Sequence, residues 1–202
     1  MQPSTRRAPW CAGLCVLGYY HRRLSIIQMK NYHATLMIVD DDPNDLFLIE
    51  RAFRAIGVTG PIHTLNGGLE AIAYMKGEGK YSDRTAYTYP TFITTDLKMP
   101  QADGFAVLEH LRNNPEWAVI PTVVLTSSND LDDIKKAYML GCSSYHVKPA
   151  SPEGLRAQLK VLHEYWLTCE VPQVDTNGRQ VRTDSAGKLG ERFAQPLALQ
   201  KQ

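Results

Sequence analysis

Long apolar runs are missing from this chain of 202 residues. A membrane-crossing helix needs about 20 consecutive apolar residues. The longest stretch here, Trp10 to Tyr20, falls well short and is flanked by arginines, so a soluble protein with no membrane partner is expected. Cysteine is equally sparse: Cys11, Cys15, Cys142 and Cys169 give neither a disulfide framework nor the paired spacing of a zinc site, which points to a reducing, cytoplasmic setting. Acidic residues are absent from the first 39 positions, which carry Arg6, Arg7, Arg22, Arg23 and Lys30. Residues 171–202 are also basic, by two charges, so the overall net charge of +1 leaves −6 on residues 40–170. An acidic centre suits a cation and argues against DNA or RNA binding by the folded part.

These shifts divide the chain into a basic extension over residues 1–33, one domain over 34–170 and a polar, aperiodic tail over 171–202 that is expected to be disordered. The extension has the acid-free look of a leader, but no small-x-small cleavage signal follows its apolar run. It reads either as sequence upstream of a start at Met29 or as a floppy basic arm.

Within the domain, strand and helix patterns alternate. Thr35 to Val39 is an apolar run of strand length that ends in Asp40-Asp41-Asp42. Pro43 then opens a helix whose apolar positions, Leu46, Ile49, Phe53 and Ile56, recur at helical spacing before Gly57. Further strands are expected at Ile62 to Leu65, Thr91 to Thr95, Val119 to Leu125 and Ser144 to Val147. Helices are expected at Leu69 to Met75, Phe105 to Asn113, up to Leu140, and from a Ser151 cap to about Cys169. The polar loop 77–90 carries Tyr81, Tyr87 and Tyr89, read as aromatics packed back on the domain. The fold class is therefore α/β, a doubly wound five-stranded parallel sheet with helices on both faces.

Right-handed crossovers bring the carboxyl ends of all the strands to one edge of such a sheet, where ligands bind. That edge would hold Asp40, Asp41, Asp96, Thr126 and Lys148. Converging carboxylates repel each other, and a hard divalent cation relieves them; Mg2+ fits because it binds through few carboxylates and completes its shell with water and phosphate oxygens. Asp96 would then serve as nucleophile to form an acyl phosphate, Lys148 would pair with the phosphoryl oxygens, and the Thr126 hydroxyl would donate to one of them.

The order Asp-Asp, Asp with Met-Pro and Asp-Gly after it, Thr, then Tyr-x-x-Lys-Pro resembles the receiver domain of two-component response regulators over residues 34–168. The resemblance implies the strand order 2-1-3-4-5, Asp40 and Asp41 as the acidic metal-binding pair, Asp96 as the phosphorylated residue and Tyr145 as the switch aromatic. It also implies a cis Lys148-Pro149 bond. Lys98, whose backbone carbonyl would join Asp40, Asp41 and Asp96 on the metal, and Ser128 stand where such families tune phosphate lifetime; the Lys98 side chain either screens the acyl phosphate or points to water. The long 77–90 connection, the Leu125 to Ser128 run and Tyr165-Trp166-Leu167 look like the stand-alone receivers associated with phytochromes. Trp166 reads equally as a packing residue.

The expected protein is thus a single-domain response regulator, a phosphoacceptor switch and not a turnover enzyme. Its partners would be a sensor histidine kinase, of phytochrome type on the narrower resemblance, or a phosphotransfer protein, with a homodimer through helix 4, strand 5 and helix 5 as a further expectation. The competing reading is a phosphorylation-independent scaffold on the same fold; a third, an aspartyl phosphatase, lacks a second acid two residues after Asp96, where Lys98 stands.

Overall fold

The computed structural model describes residues 35–169 together with 172, 174, 175 and 177–180. The basic extension and residues 181–202 lie outside the described residues. Five strands form one parallel sheet: β1 (Leu36–Asp40), β2 (Ile62–Asn66), β3 (Phe92–Thr95), β4 (Thr122–Thr126) and β5 (Ser144–Val147). Their order is β2-β1-β3-β4-β5, as expected. The three inner strands are buried along their whole length, whereas β2 and β5, at the edges, are partly exposed. This is why the inner strands read as runs of apolar and β-branched residues, with Thr94, Thr95, Thr122 and Thr126 buried among them: both of their faces are covered.

Five helices supply that cover: α1 (Pro43–Ala55), α2 (Gly68–Lys76), α3 (Gly104–Arg112), α4 (Leu131–Met139) and α5 (Pro152–Thr168). Alternate strand residues go to opposite faces. Leu36 and Ile38 join Phe53 of α1 and Leu159 of α5, while Met37 and Val39 join Tyr74 of α2 and Val107 of α3. A third cluster, with Val124, Leu97, Phe105 and Ala137, seats α4 beside α3. Four helices begin at side-chain caps, Asp42, Asp103, Asp130 and Ser151, each accepting from a backbone N–H of the first turn. No helix among the described residues is long and apolar enough to cross a membrane.

Three expectations need correction. The fourth strand starts at Thr122 and not at Val119, because residues 114–120 close into tight turns, with the Ile120 N–H donating to the Trp117 carbonyl at 2.9 Å. The Lys148-Pro149 peptide is trans, as are all described peptide bonds; trans is the intrinsically preferred form of an X-Pro bond. The tail, read as aperiodic, is structured at its start. Val174 and Gln180 form an antiparallel bridge, and Gln180 donates to the Glu116 carboxylate through its backbone and to the Pro115 carbonyl through its side chain, which satisfies groups that a free tail would leave to water.

Of the loop tyrosines, Tyr81 is buried and stacks against Tyr74 and Tyr87. Tyr89 faces Trp117, so the 77–90 connection packs its aromatics inward as its composition suggested. Trp166 packs against Phe92 on the first cluster.

Candidate functional site

The end of β1 delivers Asp40, only 1% exposed, with Asp41 half-exposed beside it. The end of β3 delivers Asp96, which is buried. Carboxylate oxygens of Asp40, Asp41 and Asp96 all lie within 4.8 Å of one another. Asp96 is held in place by its neighbour: the Leu97 N–H donates to its Oδ1 at 2.7 Å. Gly104, the first residue of α3, is required for this approach. A Cβ there would stand 2.1 Å from the Asp96 carbonyl oxygen, closer than any non-bonded contact allows.

Lys148, one residue past β5, reaches back across the sheet edge. Its Nζ is 2.6 Å from Asp40 Oδ2, 2.6 Å from Asp45 Oδ2 and 4.0 Å from Asp96 Oδ2. Burial alone would lower the lysine's pKa, but the bonds to Asp40 and Asp45 outweigh it and hold the ammonium above its usual range. Burial also raises the Asp40 carboxyl above the usual carboxylate value, against the pull of Lys148. The pocket thus contains four carboxylates around one cation, an excess of negative charge that a divalent ion would relieve.

The second half of the site comes from β4 and β5. Thr126, the last residue of β4, is fully buried, and its Oγ1 accepts from the Ser128 N–H at 3.3 Å. Tyr145 is half-buried on β5, with its hydroxyl donating to the Ser128 carbonyl at 2.9 Å. Burial keeps that phenol above its ordinary pKa, so it remains a donor at neutral pH. Ser128 donates from its own hydroxyl to Asp133 Oδ2 at 2.6 Å. The Lys98 side chain, expected either over the pocket or in water, is more than half exposed, and its ammonium pairs with that same Asp133 oxygen at 2.6 Å.

Asp40, Asp41, Asp96, Lys98, Thr126, Ser128 and Lys148 therefore all sit at the carboxyl edge of the sheet, Tyr145 reaches Ser128 there with its hydroxyl from within β5, and Asp40, Asp41, Asp96 and Lys148 stand around one pocket. Sequence reasoning missed Asp45 and Asp133. Each stands in the first turn of a helix, where an acid is favoured by the helix dipole whatever its tertiary partners. The available signal was the position of each beside an expected strand end: Asp45 follows Asp40 by five residues, and Asp133 follows Ser128 by five.

Comparison with known proteins places these features in one family. Residues 36–160 match the model of the response regulator receiver domain. The probable methanogenesis regulatory protein FilR2 of Methanothrix harundinacea (strain 6Ac) is 35% identical over 65% of this chain and 83% of its own length. Response regulator Rcp1 of Synechocystis sp. is 29% identical over 68% of this chain and 92% of its own, and the structure of its Mn(2+)-bound form aligns with a TM-score of 0.64. The phosphorylated cyanobacterial phytochrome response regulator RcpA is 34% identical, aligns with a TM-score of 0.65 and covers 70% of this chain and 99% of its own.

Proposed function

The chain belongs to the response regulator receiver family of two-component systems, and we infer that within it Asp96 is the phosphoacceptor of a Mg2+-dependent switch. The observation that carries this reading is the convergence of Asp40, Asp41 and Asp96 oxygens within 4.8 Å, with Lys148 bonded at their side. Asp40, Asp41 and Asp96, with the Lys98 backbone carbonyl, would hold Mg2+. When bound, the ion neutralises phosphoryl and carboxylate oxygens that would otherwise repel one another.

The protein's own groups have distinct tasks. A carboxylate oxygen of Asp96 attacks the phosphorus of a phosphohistidine on a sensor kinase or phosphotransfer protein. The new O–P bond forms as the P–N bond breaks, and the leaving imidazole keeps the electron pair and takes a proton from solvent. Lys148 is already within 4.0 Å of Asp96 and needs only a short movement to pair with a phosphoryl oxygen. Thr126 donates its hydroxyl to another. Turning that hydroxyl disturbs its contact with Ser128, whose carbonyl holds Tyr145, so the charge on Asp96 is relayed to the β4–α4 loop and β5.

The surface that reads this change is the one formed by α4, β5 and α5. Its elements carry the exposed apolar side chains Leu131, Tyr138, Met139, Val147, Val161 and Tyr165, which suit a protein partner or a second copy of the chain. Likeness to RcpA, a phytochrome response regulator by its description, supports a phytochrome-type kinase as the donor.

The test is intact mass after incubation with a small phosphodonor, with and without Mg2+, on the wild type and Asp96→Asn. One Mg2+-dependent phosphoryl group on the wild type and none on the variant is expected. Equal labelling of the two proteins sinks the assignment of Asp96, and labelling of neither favours the phosphorylation-independent scaffold.

A further inference from the structure

Ser128 is the meeting point of several contacts. Its N–H donates to Thr126 Oγ1 at 3.3 Å and its carbonyl accepts from Tyr145 at 2.9 Å. Its hydroxyl is bound at 2.6 Å by Asp133 Oδ2, the oxygen that also takes the Lys98 ammonium at 2.6 Å. Lys98 belongs to the loop between β3 and α3, and Ser128 to the loop between β4 and α4. One carboxylate oxygen therefore ties together the two loops that leave the sheet beside Asp96. Support of the α4 dipole accounts for an acid in this turn, but Asp132 supplies that equally and makes neither contact.

We propose that Asp133 is a positioning residue of the switch: by binding Lys98 and Ser128 through one oxygen it clamps the loops flanking Asp96 in the resting arrangement and opposes phosphorylation. This rests on the phosphoacceptor reading given above. Where the Thr126 side chain shifts toward a phosphoryl group on Asp96, its oxygen draws on the Ser128 N–H or gives up that bond, and Ser128 is anchored by Asp133. Lys98, engaged by Asp133, is likewise withheld from the phosphoryl charge. A contact made in only one of two states favours that state by its own free energy, so removing it shifts the population toward the other.

The experiment compares rates of labelling by a small phosphodonor with Mg2+ for the wild type, Asp133→Asn, Asp132→Asn as a charge control, Lys98→Gln, and Lys98→Gln with Asp133→Asn. An ion pair with an exposed partner shifts an equilibrium by a factor of about two to five, and Asp133→Asn is expected to label faster than wild type by about that factor. Asp132→Asn should label at the wild-type rate, and Asp133→Asn should lose most of its effect in the Lys98→Gln background. A wild-type rate for Asp133→Asn, or an undiminished effect without Lys98, overturns the clamp; so does a lowered melting temperature with unchanged labelling, which a purely structural role would give. If the wild type takes no label, the phosphoacceptor reading fails by itself. The clamp is then decided by amide hydrogen exchange at Ser128 in the unphosphorylated proteins, where faster exchange in Asp133→Asn than in Asp132→Asn supports it and equal exchange overturns it.

Discussion

Lys148 Nζ lies 2.6 Å from Asp40 Oδ2 but 4.0 Å from Asp96 Oδ2. The lysine is committed to the first strand's side of the pocket, with Asp45 as its second partner, and Asp96 has no direct ammonium bond. In the resting protein Lys148 thus acts as the counter-charge of Asp40 and Asp45.

Replacing Lys148 with Met is expected to leave Asp40 buried with no cation. Removing one partner of a buried pair costs about 3–5 kcal/mol, and since Asp45 can turn to water a loss of about 2–3 kcal/mol is expected here. Urea unfolding would measure it. Saturating Mg2+ should restore part of the loss in the variant, because a divalent ion neutralises the same carboxylates. Unchanged stability would show that the pair contributes nothing net to the fold.

Acid should weaken the fold from near neutrality downward. His63, His110, His146 and His163 all have ring pKa values lowered first by burial. In the unfolded chain these rings take up protons around the ordinary value of about 6.5, while the folded chain resists. The unfolded state therefore binds more protons below that pH, and stability falls as pH drops toward the folded values. Asp40, raised by burial, acts in the opposite sense as the pH falls through its raised folded value. Calorimetry should find a lower melting temperature at about pH 5.5 than at about pH 7.5, with the slope reduced in His163→Leu. A flat profile would contradict this account.

The start of the tail should matter to the stability of the domain. Gly178 has φ 76° and lies against the Tyr89 ring, where a Cβ would come within 2.7 Å of Cζ and the hydroxyl. Gly178→Val therefore meets both an unfavourable backbone conformation and a clash. A destabilisation of about 1–3 kcal/mol is expected, with faster exchange around Trp117, which stacks on Tyr89, and labelling of Asp96 unaffected. Wild-type stability in Gly178→Val would show that the segment is not part of the cooperative unit.

The sheet and the strand-end residues were legible in the sequence for a common reason. Buried inner strands show as runs of apolar and β-branched residues, and a parallel crossover has one handedness, so Asp40, Asp96, Thr126 and Lys148 could be assigned to one edge before any distance was known. Partner choice was not legible. Asp45 and Asp133 read as ordinary first-turn acids, and the sequence could not tell them from Asp132, since a helix dipole favours all three alike. Which acid takes Lys148 or Lys98 depends on separations of a few ångströms across 103 and 35 residues of chain, respectively. The same holds for the tail: its composition suits disorder, yet the gap it fills beside Tyr89 and Trp117 exists only once α3, the 77–90 loop and the turns before β4 are in place. Periodicity and chain handedness are local properties written into the sequence, whereas the pairing of charges is decided only by the packed tertiary structure, where geometry selects among chemically equivalent partners.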